Sequence, residues 1–288
     1  MKFKLKVTFF CILFIFLLVG CLKIVSIISS ENKNSKAAES ESINKPSDNE
    51  ENEKDSSEKT AENSGKDNEE NIGVEKPKED KKKIVVLDPG HGNRSNMEKE
   101  PIYPGAEELK IKDGGGAEGI KSKTPEYVIA MGITMKLKEL FINKGYIVIM
   151  TKTTSEESPG NIERAEVGNK NNADLVIRIH ADSSESSSAS GASMLVPAPI
   201  GNAKDISGIS RKYGEIVFEN LVHEVGMKNN GVVERKDLTG FNWSKVPVIL
   251  VETGFLSNPQ EDKLLNTDEY KNKIAQALFN GINTALLS

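Results

Sequence analysis

The stretch Ile84-Val85-Val86-Leu87-Asp88-Pro89-Gly90-His91-Gly92 frames the reading of the rest of the chain. Four consecutive apolar residues leave no face for solvent, so they read as a strand buried on both sides. Asp88-Pro89-Gly90 ends the run, and His91 stands just past its carboxyl end. Two later stretches repeat this layout. Leu175-Val176-Ile177-Arg178-Ile179 runs into His180, and Val248-Ile249-Leu250-Val251 runs into Glu252.

Helical patterns lie between these runs. Thr124 and Pro125 read as N-cap and first helical residue. Val128, Met131, Leu137, Leu140 and Phe141 form the expected apolar face, and Gly145 the stop. A strand is expected over residues 146–150, a helix over 161–172, a strand over 174–180 and a weaker strand over 191–196. A long amphipathic helix over 206–227 and a closing helix over 268–287 complete the pattern. Residues 92–123 read as a loop rich in Gly and Lys. Strands alternating with helices predict an α/β domain with a largely parallel sheet. In such sheets sites form at the carboxyl ends of strands.

Three segments are expected. Residues 83–288 form the foldable domain, long enough for one substantial core. Residues 31–82 are charged and nearly free of large apolar side chains, which predicts a disordered spacer with a reach of roughly 40 Å. Residues 1–30 carry lysines followed by an apolar run, the layout of an export signal or membrane anchor facing the bacterial membrane. Residues 7–28 are long enough to span a bilayer as a helix. Leu18-Val19-Gly20-Cys21 is also similar to a lipobox, with Cys21 as the lipidated residue. The apolar residues after Cys21 favour an uncleaved anchor. Residues 84–288 carry a formal charge near -4, which argues against nucleic acid as a partner.

The two cysteines, Cys11 and Cys21, both lie in the N-terminal run. The domain therefore has neither a disulfide nor a thiolate ligand, and any metal site must use His and carboxylate. Of three histidines, His91 and His180 sit at strand ends, whereas His223 lies within a helical pattern and has no expected role. Glu252 ends a third strand, and Glu126 stands in the first turn of a helix, where the dipole favours a carboxylate. Two imidazoles, one carboxylate and an open fourth position make a recurrent catalytic zinc arrangement, and a second carboxylate would serve as proton acceptor. The serine-rich residues 183–190 have no His-Asp pair beside them and read as a loop rather than a nucleophile.

The motifs together resemble the zinc-dependent N-acetylmuramoyl-L-alanine amidases of the amidase-3 type. The likeness is carried by residues 84–92, Thr124-Pro125-Glu126, Glu163-Arg164-Ala165, Asn172-Ala173-Asp174, Ile179-His180-Ala181-Asp182 and residues 246–258, in that order. It implies a central mixed sheet flanked by helices. It implies Zn2+ held by His91, Glu126 and His180, with Glu252 as the catalytic carboxylate. It further implies hydrolysis of the amide joining N-acetylmuramic acid to L-alanine of the stem peptide, which makes peptidoglycan the substrate. Three departures stand out. The loop over residues 92–123 is longer than in simple members and offers Glu107, Glu108 and Glu118 as rival carboxylates. Asp182 replaces the usual Asn after His-Ala, and Lys152 replaces an Arg common after the second strand. A zinc peptidase acting within the stem and a non-catalytic wall-binding module are the alternative readings. The sequence names no protein activator.

Overall fold

A computed structural model describes residues 81–288. The anchor expected over residues 1–30 and the linker over 31–82 lie outside the described residues, save Lys81 and Lys82. No helix among the described residues is long and apolar enough to cross a membrane.

The main sheet has six strands, β1 (Ile84–Pro89), β4 (Ile147–Met150), β5 (Leu175–Asp182), β6 (Ala192–Pro197), β7 (Asn229–Arg235) and β8 (Val248–Phe255). Their spatial order is β4-β1-β5-β8-β6-β7. The first four run parallel; β6 is antiparallel to β8, and β7 is parallel to β6. The sheet is thus mixed and largely parallel. Helices α1 (Glu126–Lys144), α3 (Ser207–Val225) and α6 (Asp268–Leu287) cover one face. Helix α2 (Asn161–Lys170) and the short α4 (Thr239–Asn242) lie towards the other, and α5 (Pro259–Leu265) leads into α6.

The strand runs are apolar because both faces are covered. Val85 and Leu87 enter the core under α1, α3 and α6, while Val86 joins Val176, Val248 and Leu250 in the opposite core. Helix α1 stops at Gly145 in the left-handed conformation (φ 92°), as expected, with its N–H returned to the carbonyls of Phe141 and Ile142. Its start and face differ from the sequence reading. Pro125 is the cap, and Thr124 Oγ1 donates instead to Asn266 Oδ1 at 2.7 Å. The buried face holds Ile129, Ala130, Ile133, Leu137 and Phe141, whereas Val128 is exposed. Burial on both long sides of α1, by the sheet and α6, rotates the helix away from the stripe that periodicity suggested.

The larger correction concerns residues 92–123. They carry an antiparallel ribbon, β2 (Asn96–Pro101) and β3 (Leu109–Asp113), with Lys99 opposite Ile111 and Pro101 opposite Leu109. Its charged residues hid it from a reading based on apolar alternation. Those charges anchor it. Glu100 accepts the N–H groups of Asn161 and Ile162 at 2.9 and 3.1 Å, serving the first turn of α2 in place of the side chain that its N-cap residue Gly160 lacks. Lys110 donates to the Asp237 carbonyl at 2.6 Å, and Trp243 Nε1 to the Pro101 carbonyl at 2.9 Å. Strand β7 was also absent from the sequence reading, since Asn-Asn-Gly and Glu-Arg flank only two apolar residues.

Candidate metal centre

Parallel pairing of β1, β5 and β8 puts their carboxyl ends side by side, and His180 is register-paired with Glu252. The chain leaves β1 through a tight turn in which Gly90 donates to the Ile179 carbonyl at 2.9 Å. A Cβ at Gly90 would lie 2.5 Å from Cε1 of His180, so only glycine lets the β1 backbone pass against that ring. His91 follows with φ 51°, a left-handed backbone that a residue with a Cβ adopts only at a cost. Its ring stands edge-on to that of His180, with centroids 4.9 Å apart.

Glu126, buried at the start of α1, lies between the two rings. Its Oε1 is 3.3 Å from Nε2 of His91 and 2.9 Å from Nδ1 of His180. The same carboxylate is oriented by two backbone donors, Ala117 N–H on Oε2 at 2.8 Å and Ala181 N–H on Oε1 at 3.2 Å. The exposed Glu107, Glu108 and Glu118 stand outside this cluster. His223 is exposed on α3, outside the cluster. The structure therefore brings together His91, Glu126 and His180, and seats Glu252 on the strand beside them.

The donor set fits a small divalent cation. Nδ1 of His91 lies 2.7 Å from Oδ1 of Asp113. Burial would raise the Asp113 pKa, but the hydrogen bond and charge of His91, the Gly115 N–H and the charge of Arg164 together outweigh it and hold the carboxyl below its ordinary value. Ionised Asp113 can only accept, so Nδ1 carries the proton. In a neutral ring Nε2 is then a bare lone pair facing the Glu126 oxygen, and two acceptors face each other with no hydrogen between them. A proton or a metal ion resolves that conflict. Ligand atoms around a tetrahedral zinc are about 3.4 Å apart, close to the 3.3 Å between Nε2 of His91 and Oε1 of Glu126. Burial would depress His91, but Asp113 and Glu126 lift it to about 9 in the metal-free protein. For His180 burial prevails and favours the neutral imidazole that metals bind.

Glu252 behaves differently from Glu126. Burial, reinforced by the negative charges of Glu126 and Asp182, pushes it up to about 8. Its Oε2 is buried without a hydrogen-bond partner, as is Nε2 of His180. Such unused polar capacity beside a candidate metal site suits a group that exchanges a proton with a reactant.

Sequence reasoning missed the support beneath. Asp113 arrives on β3, after a ribbon whose existence the sequence did not reveal. Asp88, inside the opening motif, is fully buried and receives Arg164 Nη1 at 2.6 Å, Arg178 Nε at 2.7 Å and Thr151 Oγ1 at 2.6 Å. Burial alone would raise its pKa; Arg164 and Arg178 overcome that and hold it far below the usual carboxylate range. The legible signal was charge inside otherwise apolar strands, since such groups are buried only in pairs. A cavity of about 200 Å³ opens between ribbon and sheet, lined in part by His91, Asp113, His180, Ile111 and Leu250.

The chain is also similar to known proteins. Residues 85–284 match the family model described as N-acetylmuramoyl-L-alanine amidase. The amidase AmiC of Neisseria meningitidis is 28% identical over 245 residues, an alignment covering 71% of this chain and 54% of that protein. The chain thus spans about half the length of that relative. Among solved structures, the apo amidase Ami1 of Mycobacterium abscessus matches with TM-score 0.65 and 28% identity, covering 72% of this chain and 99% of that one. The CwlD amidase of Clostridioides difficile, solved with the GerS lipoprotein, matches at 29% identity and TM-score 0.58, covering 71% and 98%.

Proposed function

The chain belongs to the N-acetylmuramoyl-L-alanine amidase family of peptidoglycan hydrolases, and from that premise we propose that it cleaves the amide between N-acetylmuramic acid and L-alanine of the stem peptide by metal-assisted attack of water. The observation that carries the proposal is the convergence of His91, Glu126 and His180, with Glu252 register-paired to His180. The three clustered side chains would hold Zn2+. When bound, zinc would polarise the scissile carbonyl and acidify the attacking water.

The remaining work falls to the protein. Asp113 fixes the proton on Nδ1 of His91 and presents Nε2 inward. The two backbone donors on Glu126 keep its carboxylate between the imidazoles. Glu252, register-paired with His180 and with one carboxylate oxygen free of protein partners, accepts the proton of the attacking water and passes it to the departing L-alanine nitrogen. Water oxygen bonds to the lactyl carbonyl carbon, the C–N bond breaks, and the products are a lactyl carboxylate and a free α-amine.

The work site is the cell wall, outside the cytoplasm. An N-terminal anchor in residues 1–30 and a spacer in 31–82 would hold the domain between bilayer and wall. The apolar run after basic residues supports this. The complex of CwlD with the GerS lipoprotein supports counting an accessory protein among the partners of this chain.

The test incubates the purified chain with peptidoglycan, with and without a zinc chelator, and reads the released fragments by mass spectrometry. Free stem peptides beginning at L-alanine, lost on chelation and restored by zinc, are the expected result. Cleavage within the stem would replace the amidase reading with that of a peptidase. Adhesion to the wall without new amino groups would replace it with a binding module.

A further inference from the structure

Lys152 has no part in the chemistry above, yet it is buried to 1% exposure against the turn that carries His91. We propose that Lys152 is a positioning residue for the metal centre. With Arg164, it grips the His91 carbonyl and locks the left-handed backbone that aims the His91 ring. The inference rests on the reading of His91 as a metal ligand.

Three observations support it. The first is backbone conformation. Only three non-glycine residues among those described have positive φ, and Lys123 and Asn172 are exposed, leaving His91 as the one at the site. A left-handed residue with a Cβ persists only where its surroundings over-determine it.

The second is what meets the carbonyl. Nζ of Lys152 donates to the His91 oxygen, and Nη2 of Arg164 approaches the same oxygen at 3.4 Å. Arg164 also donates to the Pro89 carbonyl at 2.9 Å, so the carbonyl groups on either side of Gly90, those of Pro89 and His91, are both held.

The third is the position of Lys152 itself. It forms no ion pair among the described residues, whereas Arg164 is paired with Asp88. An ammonium buried against a lone carbonyl is unfavourable unless that contact fixes something the protein requires. The segment is tied down just before it: Thr151 donates its N–H to the Leu87 carbonyl at 3.1 Å and its hydroxyl to Asp88 at 2.6 Å. Lys152 therefore reaches His91 from a fixed base. Asp113 sets the rotation of the ring; Lys152 sets the backbone from which the ring hangs.

The experiment measures zinc affinity of the metal-stripped full chain by competition with a chromophoric chelator, alongside the melting midpoint of the metal-free protein. The variants are Lys152→Met, Lys152→Gln and Lys152→Arg. Loss of the donor in Lys152→Met should weaken zinc binding about 10–100-fold, the usual effect of removing an outer-shell contact. Lys152→Gln should fall between, and Lys152→Arg should bind close to wild type. Zinc affinity unchanged in Lys152→Met, with only the metal-free midpoint lowered, would overturn the proposal by showing a purely structural role. Should Lys152→Met not fold, equal affinities of Lys152→Gln and Lys152→Arg would overturn it just as well. A wild-type chain that takes no zinc would instead sink the metal reading itself, a result distinguishable from equal binding across the series.

Discussion

Two layers of buried polar side chains lie at the carboxyl end of β1 and β5, and they differ in how their charges are met. In the lower layer Asp88 has three side-chain partners, two of them guanidinium groups. In the upper layer Glu126 is shared by two imidazoles, Glu252 keeps an oxygen with no partner, and so does a ring nitrogen of His180. The lower layer is internally complete, so its groups have nothing left to offer a ligand. The upper layer is incomplete, and its shortfall is what a cation and a substrate can supply. Strands β1 and β5 contribute to both layers, Asp88 and Arg178 being register-paired below the level of His91 and His180.

Mutations should separate the layers. The largest expected effect is on turnover: Glu252→Gln should lower kcat by about 10²–10⁴-fold, while zinc content and melting midpoint stay near wild type. A variant that kept wild-type turnover would remove Glu252 from the chemistry and collapse the contrast between the layers. Next, Asp88→Ala should cost about 3–5 kcal/mol of stability in urea unfolding, because two guanidinium groups lose their counter-ion in the interior. A cost under about 1 kcal/mol, the range of exposed pairs, would show that the lower layer is not the support argued above.

Asp113→Asn sharpens the boundary, since Asp113 hydrogen-bonds His91 of the upper layer but lies outside the cluster of His91, Glu126 and His180. Its removal should weaken zinc about 10–100-fold in a competition titration, with little change in unfolding midpoint. The smallest effect concerns acid. Because the folded pKa of Asp88 is depressed, its stabilisation is present above the unfolded value of about 3.9 and fades below it. The loss should reach on the order of 1 kcal/mol by pH 3, and the acid slope measured by urea titration should flatten in Asp88→Ala.

Much of this architecture was legible. The runs at Ile84, Leu175 and Val248 specified buried strands because a continuous apolar segment has only one stable environment. His91, His180 and Glu252 followed, since a polar residue ending such a run lies on the sheet's carboxyl edge. Gly145 as the stop of α1 and the span of α6 were readable from local preference. The ribbon of β2 and β3 was not, because Asn96 to Pro101 is charged and its pairing depends on Glu100 meeting α2 and Lys110 meeting Asp237. The apolar face of α1 was misjudged at Val128 because packing by α6 as well as the sheet sets which side is buried.

Sequence alone determined which runs are buried strands, the absence of cysteine from the domain and the short list of candidate ligands, all of which follow from residue type and local period; β5 and β8 continue past His180 and Glu252 to Asp182 and Phe255. Tertiary structure decided the rest. It selected Glu126 over Glu107, Glu108 and Glu118, brought Asp113 to His91 across a ribbon and closed the Asp88 layer with Arg164 and Arg178. These choices depend on where distant segments meet, and the energy of a buried charge is fixed by partners that no local pattern records.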